Sequence, residues 1–395
     1  MRRGTVYQRH LISCPRAPDG AYAPHKCRGL WSYVVDLGRN ESGRRIQRTQ
    51  GGFPTKRDAH AALAAVLQET RAGVDVASTI TVRQYLPQWL DGKRSLRPST
   101  QKAYREHLHL YLIPMLGDHK LRDLRAEHID LFISHLAVLK RSRPLTNATI
   151  RRIYATLRNA LNDAVGRRLI AFNPAVHVEL PAERRTVVIV WTPPQVARFL
   201  QASKNHRLYA LFHLAVMTGM RRGEIAGLRW EDLDLDARYL QVNQQRVRIG
   251  NRTVIGPPKT KTGTRTVALD AVTVAVMQRH RDAQHEESYV WSDRWVSTGY
   301  VFTKRDGRPL YPEEINVAFN RLIGLAGLPR IRFHDLRHTS ASLALAAGVQ
   351  MKVVSERLGH STTGITADLY THVSPAVAHA AADAIAAIVP LDTEC

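Results

Sequence analysis

Apolar residues recur along this chain with two periods, and the places where the period changes divide it. The stretch WSYVVDLG alternates as a strand with one buried face does, the following RNESGRRIQRTQGGFPT is turn-rich, and KRDAHAALAAVLQET then carries apolar residues at helical spacing. Two or three strands and one helix make a small first domain over residues 1–75. GVDVAST reads as a linker. Beyond it TVRQYLPQWLDG, STQKAYREHLHLYLIPMLG, RAEHIDLFISHLAVLKR and TNATIRRIYATLRNALNDAVGRRLI each bear an apolar stripe. A Ser, Thr or turn residue stands near each start and Gly or Pro near several ends, which predicts a bundle of four or five helices over 79–181, closing near AFNPAVHVELP. After a second linker, PAERRTVV, residues 186–390 mix the two periods. WTPPQVARFLQAS is helical, whereas RYLQVNQQRVRI and RTVIGPPKTKTGTRTVALD read as strands about a lysine-bearing turn. The fold class is therefore multidomain α+β: a small sheet-plus-helix domain, an all-α domain, and a mixed, mainly α domain with a small antiparallel sheet. No internal repeat or low-complexity tract interrupts it.

Charge changes this picture more than composition does. The 395 residues include 57 Lys and Arg against 34 Asp and Glu, a formal net charge of +23. Such an excess calls for a polyanionic partner, and nucleic acid is the first candidate. In the first domain Arg39, Arg44, Arg45, Arg48, Lys56 and Arg57 lie on or beside the predicted strands, so that sheet is expected against a DNA groove. No apolar run reaches the length of about 18 residues that a membrane helix needs, and MRRGTVYQRH leads into no signal-peptide core, so the cytoplasm is the default compartment. Three scattered cysteines, Cys14, Cys27 and Cys395, are too few for a disulfide framework.

The densest chemistry lies in RFHDLRHTSASLALAAG, where two histidines stand at the mouth of an apolar helix. If that helix begins near Phe333, His334 and Arg337 are one turn apart on one face and converge on a single point. Two donors aimed at one point suit an anion. With MTGMRRGEIAGLRWEDLD, PPKTKTGTRTVALD and LGHSTTGITADLYTHV, the motif resembles the tyrosine recombinases of the phage integrase type. Their signature is an Arg after a T-G-x turn, a Lys on a β-hairpin, an H-x-x-R pair, an L-G-H, and a Tyr about ten residues beyond it. Each motif is weak alone, but here all occur in the family's order.

The resemblance implies that Arg221 is the first arginine, His334 and Arg337 the pair, His360 the second histidine and Tyr370 the nucleophile. PPKTKTG offers two lysines; Lys259 is the favoured one, with Lys261 a nearby phosphate contact. Glu224 is expected to hold an arginine or cap a local turn and not to act as a base. Attack on a phosphodiester builds charge on the nonbridging oxygens, which two guanidiniums can clamp at any working pH. Histidine adds hydrogen bonds or proton transfer near neutrality, and lysine would protonate the leaving 5′ oxygen. A covalent phosphotyrosine keeps the energy of the broken bond for rejoining, so the scheme needs no cofactor and no metal. The resemblance further implies a 3′ phosphate link, an arm-binding first domain, a core-binding second domain that closes over double-stranded DNA, and a homotetramer on paired attachment sites. An accessory DNA-bending protein and an excisionase are further expected partners.

Two features lie outside that scheme. His10, Cys14, His25 and Cys27 bracket a Pro-rich turn in the first domain; this mixture suits zinc, although the spacing matches no standard finger and buried or reactive thiols are the plainer reading. The alanine-rich SPAVAHAAADAIAAIVP after Tyr370 is too apolar for a free surface helix and is expected to dock on a neighbouring protomer, or else on its own domain. Two rival readings stand beside the integrase: a type IB topoisomerase, which uses a similar residue set but not this L-G-H to Tyr spacing, and a silent DNA-binding regulator, which would have lost one of these positions.

Overall fold

The computed structural model describes residues 4–360 except 24, 26, 40–42, 140–143, 184–188, 251, 259 and 260. Lys259, Tyr370 and the alanine-rich segment at the chain end lie outside the described residues. The chain divides into two compact units, Met1–Arg185 and Thr186–Cys395.

In the first unit, strands β1 (Gly4–Gln8), β2 (Trp31–Arg39) and β3 (Arg45–Phe53) form an antiparallel sheet in that order. Tyr33, Val35 and Leu37 alternate inward from β2 and meet Leu63 and Val66 of helix α1 (Lys56–Arg71), which Thr55 caps by accepting the Asp58 N–H at 3.1 Å. β3 lies within the stretch that reads as turn-rich. It is a strand because β2 offers it a partner from Arg39 to Trp31, with register shifts at Asp36/Gly38 and Trp31/Ser32. GVDVAST is no loose linker either. Val76 is buried in the first core, the Asp75 N–H donates to the Arg168 carbonyl at 2.9 Å, and Arg122 Nη1 donates to the Val76 carbonyl at 2.5 Å.

The second core belongs to α2 (Val82–Asp91), α3 (Pro98–His107), a π turn at Leu108–Leu112 running into α4 (Ile113–Leu116), α5 (Ala126–Val138) and α6 (Asn147–Gly166). Thr81 and Gln84 close a reciprocal capping box at the start of α2. Trp89 is wholly buried, and its indole N–H donates to Asp163 at 2.6 Å, the same carboxylate that Lys93 meets. Tyr85 donates to the Ala160 carbonyl at 2.8 Å, so both polar tips of this aromatic pair are satisfied against α6.

In the second unit, α7 (Pro193–Ser203), α8 (Tyr209–Thr218), α9 (Arg222–Ala226), α10 (Ala271–Trp291), α11 (Pro312–Ala326), α12 (Asp335–Ala346) and α13 (Met351–Leu358) surround two small antiparallel arrays. Strands β4 (Leu233–Asp234), β5 (Tyr239–Val242) and β8 (Arg265–Ala268) make one, and the hairpin β6 (Gln245–Ile249) with β7 (Arg252–Gly256) the other. Trp191, Phe199, Phe212, Phe319 and Phe333 pack ring against ring at the centre. Phe333 is thus a core residue, and α12 begins at Asp335, two positions later than the sequence suggests. No helix among the described residues is long and apolar enough to cross a membrane.

Candidate active site

Helix α8 is buried from Ala210 to Val216, with His213 the polar exception, so the segment that follows it starts from a fixed point inside the core. The helix ends at Gly219 in the left-handed conformation (φ +63°), where a Cβ would stand 2.4 Å from Leu358 Cδ2. Two residues on, Arg221 caps α9. Its backbone N–H donates to Glu224 Oε2 at 2.9 Å, its Nη1 to Glu224 Oε1 at 2.7 Å, and its Nη2 to the Gly359 carbonyl at 3.0 Å.

Gly359 is reached from the other side by α13, which closes in a Schellman turn: the Gly359 N–H donates to the Glu356 carbonyl and the His360 N–H to the Ser355 carbonyl, at 2.9 and 3.0 Å. Gly359 is left-handed (φ +67°), and a Cβ there would sit 2.7 Å from the Thr262 carbonyl oxygen. The turn Lys261–Gly263, which follows the predicted lysine, therefore abuts the L-G-H motif. Arg337 is anchored on the two neighbouring turns. Only 3% exposed, it donates from Nη1 to Gly219 at 2.9 Å and from Nη2 to Leu358 at 2.5 Å.

His334 has helical dihedrals (φ −64°, ψ −26°) at the cap of α12, so its one-turn relation to Arg337 stands although the helix proper starts a residue later. Its ring meets that of His338 edge-on at 5.3 Å. Buried Asp335 anchors this end of the helix through Arg332, which donates to it from both backbone and guanidinium at 2.7 Å.

His334 and His360 are both shifted below the ordinary imidazole range. Burial, then His338 and Arg337, lower His334 to about 4; burial, then Arg337 and Arg221, lower His360 to about 4. His334 keeps substantial solvent contact, which tempers the burial contribution. Both imidazoles are then neutral at pH 7, beside the permanent cations Arg221 and Arg337. Glu224 is 1% exposed. Burial alone would raise its carboxyl, but Arg265 and then Arg221 outweigh it and hold the group below the usual carboxylate range.

Of the residues the sequence singles out, Arg221, Glu224, His334, Arg337 and His360 come together. Lys259 and Tyr370 are outside the described residues, and the Lys261 side chain likewise. Two members of the cluster were not singled out. Arg265, on β8, donates to Glu224 Oε2, the Arg357 carbonyl and the Gly263 carbonyl at 3.0, 2.7 and 2.9 Å, bracing the lysine turn against α13. His338 is the second. The sequence signal for it was the repeated His one turn after His334; Arg265 gave none beyond its place on a strand after the lysines.

Comparison with known proteins gives the family. Residues 190–376 match the phage integrase family, 25–70 an arm DNA-binding domain, and 81–137 the N-terminal SAM-like domain of phage integrases. A tyrosine recombinase XerC-like protein of Caldanaerobacter subterraneus subsp. tengcongensis is 31% identical over 364 residues, covering 87% of this chain and 92% of the relative. The chain belongs to the phage integrase family of tyrosine recombinases. It is thus a site-specific DNA recombinase with the three-part plan of integrases, as the motifs imply. An integrase of Streptomyces ambofaciens is 28% identical, over 89% of this recombinase and 92% of its own length. The fold is shared with the Tn1549 transposon integrase solved in complex with circular intermediate DNA (TM-score 0.67, 21% identity, 78% of this chain and 99% of that one). It is shared too with a lambda integrase dimer bound to a core site (TM-score 0.56, 18% identity, 92% and 95%).

Proposed function

We propose that this recombinase integrates, and in reverse excises, a phage or other mobile element by way of a 3′-phosphotyrosine on Tyr370. The Tyr370 oxygen attacks the scissile phosphorus, the P–O5′ bond breaks, and Lys259 gives a proton to the departing 5′ oxygen. The phenol's proton passes toward the histidine pair. A 5′ hydroxyl of the partner duplex then attacks the phosphotyrosine and releases the enzyme.

The observation that supports this most directly is the anchoring of Arg221 and Arg337 on two successive carbonyls, Gly359 and Leu358. It holds two permanent cations side by side, with neutral His334 and His360 close enough to feel both charges. A pentavalent phosphorane, more negative than the ground-state diester, is the species such a cluster favours. The phosphate should also raise both imidazoles toward neutrality, so that proton transfer becomes available once DNA is bound. His338 supports His334 by orienting its ring.

Residues 1–75 act as the arm-binding domain, 79–181 as the core-binding domain and 186–390 as the catalytic domain, working as a homotetramer on paired attachment sites in the bacterial cytoplasm. A DNA-bending protein and an excisionase set the direction, and the alanine-rich segment after Tyr370 docks on the next protomer.

Tyr370→Phe tests the chemistry, since it deletes one hydroxyl and leaves the basic surface intact. On a nicked suicide substrate the variant should bind with wild-type affinity and give no covalent adduct on a denaturing gel. A persistent adduct overturns the assignment of the nucleophile.

A further inference from the structure

The segment between β1 and β2 presents a problem of stability that the recombinase reaction does not explain. Gln8 pairs with Trp31, and the Arg9 N–H extends the ladder to the Leu30 carbonyl at 3.0 Å, so the chain leaves and re-enters the sheet at one point. Antiparallel neighbours are ordinarily joined by about 2 to 5 residues. Here the excursion covers residues 9–30, and among its described residues the regular structure is a single bridge, Arg16 to Tyr22. Nor does the loop build a core of its own: Ile12 is fully exposed, and Leu11 and Leu30 are about half exposed. Apolar burial does not hold it.

Polar side chains converge instead. His10, Cys14, His25 and Cys27 bring one ligand atom each to within 4.8 Å of all the others. The two sulfurs are 3.7 Å apart. A disulfide would require about 2.0 Å. A tetrahedral zinc with Zn–S bonds of about 2.3 Å places its two sulfurs about 3.8 Å apart, which is the separation found.

The histidines are presented as ligands are. His25 Nδ1 lies 2.7 Å from the Ala23 carbonyl; with its proton there, the Nε2 lone pair is exposed to the cluster, and that Nε2 is buried with no hydrogen-bond partner. His10 Nδ1 is likewise buried and unpartnered, while its ring is stacked on Tyr22 at 3.8 Å and 14°. Two orphaned imidazole nitrogens beside two thiols are costly unless a metal meets them.

The surroundings are fitted to the second cysteine. The Gly29 N–H donates to Cys27 Sγ at 3.3 Å, and a Cβ on Gly29 would collide with the Arg9 carbonyl oxygen, so only glycine allows the chain to fold back over the sulfur. Gln8 Nε2 fixes the same segment by donating to the Cys27 and Gly29 carbonyls at 3.0 and 2.7 Å.

We infer that His10, Cys14, His25 and Cys27 form a structural Cys2His2 zinc site that staples the β1–β2 loop. Sulfur and imidazole in equal number, at tetrahedral separation and with all four positions filled by protein, select zinc over magnesium, calcium or a catalytic open site. The arm DNA-binding match begins at residue 25, so His10 and Cys14 stand outside the matched segment and the staple is an addition to it. Its consequence is to fix Arg9, Arg16 and Arg28 on the domain that carries the basic sheet.

The full chain, purified under reducing conditions, should contain about one zinc per molecule by elemental mass spectrometry. Cys14→Ser with Cys27→Ser should lose it. Cobalt substitution should give the visible bands of a tetrahedral ion and a thiolate charge-transfer band, both absent from the double variant. Should that variant misfold, the wild-type protein still decides the matter. Peptide mapping should find Cys14 and Cys27 protected from alkylation until a chelator is added and protected again when zinc is returned. A wild-type chain that takes up neither zinc nor cobalt overturns the inference, whether its two thiols are then free or joined in a disulfide.

Discussion

Replacing Glu224 by Gln keeps the side chain's shape and removes its charge at the point where two arginines meet. The carboxylate accepts from the Arg221 backbone at 2.9 Å, from Arg221 Nη1 at 2.7 Å and from Arg265 Nη2 at 3.0 Å, with 1% of the residue exposed. The amide that replaces one oxygen can only face a donor with a donor. Removing one partner of a buried ion pair costs about 3 to 5 kcal/mol, and because Gln keeps one acceptor the lower end, about 3 kcal/mol, is expected. With a urea m value of about 3 kcal/mol/M, the unfolding midpoint of the second unit should fall by about 1 M. Hydrogen exchange read on peptides spanning α8 and α9 isolates that unit from the rest of the chain. Strand cleavage should drop about a hundredfold besides, since Arg221 loses the contact that aims it. The pH dependence has a fixed sign. A carboxyl held below its unfolded value contributes stability above that value and loses it as the pH falls through the folded one, so the gap between wild type and variant should narrow below about pH 4. An unchanged midpoint together with an unchanged cleavage rate would refute the role of Glu224 as the seat of Arg221.

Arg337→Lys should cut cleavage of a suicide substrate by about two to three orders of magnitude, because one ammonium cannot span the Gly219 and Leu358 carbonyls and still face a phosphate; near-normal cleavage would dismiss the clamp. Removing the first domain with a cut after Ala77, since Val76 belongs to its core, should spare cleavage of a bare core site and impair recombination between complete attachment sites. Equal recombination by both chains would reject an arm-binding role. His334 and His360, lowered to about 4 from an ordinary 6.5, make the unfolded state the better proton acceptor as the pH falls; stability is complete above about pH 6.5 and declines toward pH 4. Thermal melts of His334→Gln with His360→Gln should be flatter across that window, and a wild-type slope in the variant would remove these two groups from the account.

What could be read from the sequence is what short-range physics dictates. The stripes and caps of α1, α2 and α6 were visible because Thr55, Thr81 and Thr146 each accept a backbone N–H three residues on, a local event. Likewise local are the left-handed glycines that make T-G-M and L-G-H into motifs. Strand β3 was hidden: its Gly51 and Gly52 and its arginines carry little strand propensity, and β2 supplies what the segment lacks. Val76 looked like part of a linker because its burial depends on the sheet and on Arg122, far away in sequence. Arg265 and the lowered histidines escaped for the same reason. Their causes, Glu224 and Arg357 in one case and burial beside His338, Arg337 and Arg221 in the other, are assembled only by the tertiary fold.

The cations of the active site are tied down chiefly by the main chain. Arg337 grips the Gly219 and Leu358 carbonyls, Arg221 the Gly359 carbonyl, and Arg265 the Gly263 and Arg357 carbonyls. Carbonyl oxygens belong to every residue type, so at Leu358 and Arg357 this wiring is indifferent to the side chain, whereas Gly219 and Gly359 must stay glycine for the steric reasons given above. It also means that residues 357–359 are a common rail. Any displacement of that short segment shifts the seats of three guanidiniums at once, and the same backbone runs on through His360 toward Tyr370. The three cations of the cluster are therefore positioned by one piece of backbone and not by three independent ones.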